Sequence, residues 1–218
     1  MGVFAVALAP APVQAGPSIA PSVCGLSDVD LKIGVTTYHP TQCRADLQIG
    51  GGNSNPGSER DLLNTAFSTN FSLIGRAENG GSVPQPALHG IQFTLSTVSI
   101  GATTGTFTLA WADTNGLVAD NLPITIDFAL MVNGGSNGDG YLFQGVTIPI
   151  TPTSGTGDFL VTFHNNGGNF PGLSHLTLIG GNDVGINPVI VDTPEPATLA
   201  VLGMGMIGLG AVRRRRRA

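Results

Sequence analysis

Positive charge is nearly missing from most of this chain. Ahead of position 213 there is one lysine, Lys32, and three arginines, Arg44, Arg60 and Arg76, against fourteen acidic residues, a net of −10. A body of that sign repels phosphates, which excludes nucleic acid as a partner. Thiols stop at Cys24 and Cys43, with no Cys-x-x-Cys spacing to mark a metal site. Large aromatics are few: Trp111 is the only tryptophan, and Tyr38 and Tyr141 the only tyrosines. A sugar-stacking surface presents exposed aromatics, whereas Trp111 shares phase with Phe107 and Leu109 and reads as core. Catalytic signatures are missing too. His39, His89, His164 and His175 carry no HExxH or paired-histidine spacing, and "GLSHL" lacks the second glycine of a nucleophile elbow. His175 alternates with Leu176 and is expected on the outer face of a strand. Paired carboxylates for glycosidic cleavage need facing walls. Asp113, Asp120, Asp127, Asp139, Asp158 and Asp183 are instead scattered near turns, where aspartate serves as a local backbone acceptor.

Helical periodicity and repeats of fixed period are also missing, and period-two alternation takes their place. "TFTLAW" sets Phe107, Leu109 and Trp111 on one face, and "ITIDFALMV" does so with Ile124, Ile126, Phe128, Leu130 and Val132. "DFLVTF" aligns Phe159, Val161 and Phe163, and "HLTLIG" aligns Leu176 and Leu178. These predict half-buried strands. "GIQFTLSTVSIG" changes phase near Thr97, which predicts a bulge or bend. Turns are expected at "NGGSNGDG" (133–140), "PTSGTGD" (152–158) and "NNGGN" (165–169). Residues 50–60 read as loop, Asp61 to Ile74 as a short helix or an irregular strand, and "NDVGINPVIVDT" as a last strand. Short strands with such turns predict an all-β fold, an antiparallel β-sandwich of jelly-roll-like class, over residues 16–187. A linker at 188–193 follows.

The end of the chain is of another kind. Pro194, Glu195 and Pro196 precede an uncharged run from Ala197 to Val212, and Arg213, Arg214, Arg215, Arg216 and Arg217 follow it. As a helix, the run would rise roughly 24 Å, a short span for a bilayer core of about 30 Å. The arginine cluster would hold its side in the cytoplasm and place everything before Pro194 outside. The prolines cannot continue the helix upstream, so the triplet is expected as extended chain that a processing enzyme can grip. A plain tail anchor shares all of this except cleavage. The order of triplet, apolar run and arginines within residues 194–218 closely resembles the PEP-CTERM sorting signal of Gram-negative bacteria. That resemblance implies recognition by an exosortase, a membrane-embedded cysteine transpeptidase-like enzyme that cuts near the triplet. It also implies transit through the inner membrane and delivery to the cell surface or to extracellular polysaccharide.

The other end fits export. Val3 to Ala9 form an apolar stretch, and Val13-Gln14-Ala15 make a small-residue cleavage site before Gly16, so residues 1–15 read as a signal peptide. Its basic start is missing, which points to a translation start upstream. In an exported chain two cysteines read as one disulfide, worth on the order of 3 kcal/mol by loop entropy. Free or metal-binding thiols are the alternative. Asn137 and Asp139 offer oxygen ligands for calcium, without the spacing of an EF-hand. The cysteine pair, the Asn/Gly/Ser-rich loop, "DFALMVNGGSNGDGYLFQGV" and "GLSHLTLIG" together resemble a group of PEP-CTERM proteins of unassigned function. This implies a secreted sandwich and brings over no catalytic residue and no cofactor. The expected role is a non-enzymatic surface or matrix protein associated with exopolysaccharide. A carbohydrate-binding module is the alternative, and an extracellular hydrolase is third.

Overall fold

The computed structural model describes residues 23–49, 55–78, 81–114, 121–165 and 167–181. Eleven strands and one helix occur in them. In chain order they are β1 (Leu31–Ile33), β2 (Thr36–Tyr38), β3 (Gln42–Gln48), α1 (Pro56–Phe67), β4 (Ser72–Glu78) and β5 (Gly81–Val83), then β6 (Ile91–Thr97), β7 (Thr104–Asp113), β8 (Ile124–Gly134), β9 (Asn137–Ile148), β10 (Ser154–Leu160) and β11 (His175–Gly181). The strands form two antiparallel sheets, one ordered β2-β1-β10-β7-β6 and the other β3-β9-β8-β11-β4-β5.

The main core lies where the alternation places it. Phe107, Leu109 and Trp111 of β7 pack with Phe93 and Leu95 of β6 on one side, and with Phe128, Leu130 and Phe143 of the larger sheet on the other. Phe128 and Phe143 stack with ring centroids 4.8 Å apart. Trp111 is buried, and its indole N–H donates to the Pro149 carbonyl at 2.9 Å. Phe159, Val161, Phe163, Leu176 and Leu178 join the same core.

A helix is the departure from an all-β fold, and it begins inside the segment read as loop. Asn55 caps it by accepting from the Gly57 N–H at 2.9 Å, Pro56 opens its first turn, and Ser68 closes it in the left-handed region at φ 56°. One stripe, Glu59, Leu63 and Phe67, is buried. Leu63 and Phe67 form a second core with Ala129, Met131, Leu142 and Ile179 from the face of the larger sheet opposite the main core. β8 is therefore covered on both sides along most of its length, where alternation alone predicts a half-buried strand.

The glycine-rich stretches are shorter turns than their composition predicts. Of residues 133–140, only Gly135 and Ser136 form the turn, Gly135 at φ 72°, because Gly134 already pairs with Asn137 across the β8–β9 hairpin. Asn137 to Gly140 run on as strand. Gly140 is needed where α1 comes close: a Cβ there would lie 2.8 Å from Leu63 Cδ2 and 2.9 Å from Leu47 Cδ1. Most of 152–158 is β10, where a Cβ on Gly157 would meet the Asp30 carbonyl at 2.2 Å. The turn at 165–169 stands, with the Gly168 N–H donating to the Asn165 carbonyl. The phase change near Thr97 is the end of β6: Val98 is 96% exposed and the chain turns through Gly101 into β7. Asp127, Asp139 and Asp158 lie within strands, not in turns.

Candidate functional site

Under α1 the larger sheet carries a buried polar cluster that no local pattern in the sequence marks. Glu59 faces inward from the first turn of the helix, and Arg76 of β4 and His175 and Thr177 of β11 rise to meet it. Pairing of Thr177 with Arg76 across β11–β4 puts those two side chains next to each other. Arg76 Nη1 and the Thr177 hydroxyl both donate to Glu59 Oε2, and Arg76 Nε donates to Glu78. His175 Nε2 stands 2.8 Å from Glu59 Oε1, and His175 Nδ1 stands 3.0 Å from Ser174 Oγ. Glu59, Arg76 and Thr177 are essentially inaccessible to solvent and His175 nearly so. Burial pushes the Glu59 carboxyl up, but His175, Thr177 and Arg76 together outweigh it and hold it below the usual carboxylate value. His175 does sit on the strand face opposite the main core, as alternation predicts. That face is covered by a helix and is not open to solvent.

The sequence hydroxyl, imidazole, carboxylate matches a serine-hydrolase triad in order but not in connection. In that triad the hydroxyl meets Nε2 and the carboxylate meets Nδ1, and here the two nitrogens are exchanged. Ser174 Oγ also lies 3.0 Å from the Asn133 carbonyl, a competing acceptor for its single proton. The second oxygen of Glu59 is occupied by Arg76 and Thr177. The arrangement is suited to clamping α1 onto the sheet.

A second polar group lies at the end of the sandwich where the N-terminal segment enters. Cys24 and Cys43 form a disulfide there, with Cα atoms 6.1 Å apart. Asp139 of β9 points into the interior beside Tyr141 and is fully buried. It accepts from the Asp46 N–H at 3.0 Å, at a register shift in β3, and contacts the Thr162 hydroxyl at 3.1 Å. Burial, with Asp46 and Asp28 nearby, pushes its carboxyl up to about 6, against the lowering effect of its hydrogen bonds with the Asp46 N–H and Thr162. Burial, with the Asp139 and Asp28 carboxyls nearby, pushes the Tyr141 hydroxyl up as well. Asn137 donates to the His164 carbonyl at 2.9 Å. The two residues considered for calcium thus direct these polar groups to protein partners, and among the described residues no group of three or more His, Cys, Asp or Glu is arranged to hold a metal ion.

The remaining histidines do not converge. His39 and His89 are exposed, and His164 packs against Phe170 with ring centroids 4.3 Å apart. The signal segment 1–15, Asp120, Asp183, the expected last strand, the linker 188–193, the Pro194–Glu195–Pro196 triplet, the run 197–212 and the cluster Arg213–Arg217 lie outside the described residues. Among the described residues no helix is long and apolar enough to cross a membrane.

A two-sheet β body in a chain that ends in a proline triplet, an apolar run and arginines defines a class, the β protein with a C-terminal sorting tail. Residues 192–217 match the family model described as the PEP-CTERM protein-sorting motif, so this chain carries that motif. The motif implies export, membrane-anchored transit and exosortase processing. No curated protein and no solved structure matches the chain.

Proposed function

We propose that the chain is a non-enzymatic protein of the cell surface or extracellular matrix, delivered by cleavage of its C-terminal signal and held there among exopolysaccharide. The observation that carries this reading is the sorting motif at residues 192–217. The body supports it in kind. Outside the tail its acidic residues outnumber its basic ones, its large aromatics Trp111 and Tyr141 are committed to the core, and its most elaborate polar cluster is shut beneath α1. Neither of these two rings can serve as a stacking platform for a sugar, which among the described residues leaves only Tyr38, partly buried, and Phe170, exposed, as aromatics that could.

The test is where the protein goes when the polysaccharide is taken away. In cells that make exopolysaccharide the processed protein should sediment with the matrix, and in cells that cannot make it the same processed form should be free in the medium. Identical distribution in both would overturn the matrix assignment. The order Ser174, His175, Glu59 is the one observation favouring a hydrolase as a second reading. Turnover of a glycan or ester panel that disappears in Ser174→Ala would establish that alternative, while our reading expects no turnover from either protein.

A further inference from the structure

Asp28 and Asp139 approach one another from opposite sides of the sandwich with a single hydroxyl between them. Thr162 Oγ1 lies 3.1 Å from Asp28 Oδ2 and 3.1 Å from Asp139 Oδ2. A threonine hydroxyl has one proton, so it can donate to one of these oxygens and must accept from the other. The outer contacts say which. Asp28 Oδ2 already takes the Gly25 N–H at 2.6 Å and lies 3.5 Å from the Tyr141 hydroxyl, so it has two donors besides Thr162. Asp139 is the more deeply buried of the two and has one other donor, the Asp46 N–H. The charged groups that raise the Asp139 carboxyl are acidic, Asp46 from β3 and Asp28 from the N-terminal segment, with the Tyr141 hydroxyl of β9 beside it and the His164 imidazole two residues beyond Thr162.

We propose that Asp139 retains a proton in the folded protein and donates a hydrogen bond to the Thr162 hydroxyl, which donates in turn to Asp28, forming an acid-tightened clamp across the two sheets at the disulfide end. The upward displacement of the Asp139 carboxyl, from 3.8 to about 6, has the sign this requires. A folded value raised above the unfolded one adds stability that is complete below about 3.8, declines as pH rises through about 6, and is gone above it. The clamp gathers elements far apart in the chain. Asp28 anchors the segment bearing Cys24, Asp139 holds β3 at its register shift by Asp46, and Thr162 follows β10.

The experiment is urea unfolding of the full chain in mild detergent, from about pH 5 to about pH 7.5. The wild-type folding constant should fall about tenfold over that range from this group alone. Asp139→Asn, whose amide mimics the protonated acid by donating to Thr162, should remove that fall. Carbon NMR of labelled aspartate in the wild-type chain gives an independent reading, with one carboxyl titrating near 6. Thr162→Val should uncouple the Asp28 resonance from that step. Titration of Asp139 below about pH 5, or an Asp139→Asn profile as steep as wild type, would overturn the proposal.

Discussion

Arg76→Met should destabilise the folded body by about 3–5 kcal/mol, the usual result of leaving a buried carboxylate without its cation. Arg76 is 1% exposed and Glu59 wholly buried, so water cannot replace the guanidinium. Methionine fills most of the arginine stem, which confines the loss to the charge and its hydrogen bonds to Glu59, Glu78 and Thr177. The double variant Glu59→Gln, Arg76→Met should recover much of the loss, because it removes the stranded charge along with its partner. Acid acts in the same sense as the single variant. The Glu59 carboxyl is held below its ordinary 4.5, so its contribution is present above 4.5 and is lost as pH falls through the lower folded value. In Arg76→Met that loss should begin at higher pH. Urea midpoints of the three proteins decide it, and a single-variant change under about 1 kcal/mol would mean that the cluster does not clamp the helix.

That cluster also shows where reading residues in order stops. The strands of the main core were legible because each carries its apolar residues two apart, as Phe107, Leu109 and Trp111 do, and a sheet with one covered face requires that spacing. α1 was not. Its buried stripe is only Glu59, Leu63 and Phe67, and the first of these is a carboxylate, so no apolar periodicity distinguishes it from the loop before it. With the helix left open against an irregular strand, nothing marked the second face of β8 and β11 as covered, and His175 read as a surface residue. Its partner Glu59 is 116 residues away, joined to it by sheet order and not by any motif. Glycine misled in the opposite direction. At 137–140 and 154–157 it serves close packing within strands, and composition alone cannot tell that use from a turn. The sorting motif was legible, since its three parts act in order along the chain and need no fold to bring them together.

The tail carries the second large effect. Replacing Pro194, Glu195 and Pro196 by alanines should leave membrane insertion intact, because the apolar run and the arginines that orient it are unchanged. The extended grip is lost, however, and three alanines can join the helix that follows. Uncut precursor should then collect in the inner membrane at the expense of the exported form. Neutral residues in place of Arg213–Arg217 should act differently, weakening orientation and retention while the triplet stays available to the exosortase.

Fractionation of cells producing the wild-type chain or the triple-alanine variant, with C-terminal peptide mapping of every fraction, tests the sorting claim most directly. Wild-type protein outside the cell should end close to Pro196 and lack residues 197–218, and the variant should remain full length in the inner membrane. Released wild-type protein that still carries Arg213–Arg217, or an identical distribution of the two proteins, would contradict cleavage and leave a plain tail anchor in its place.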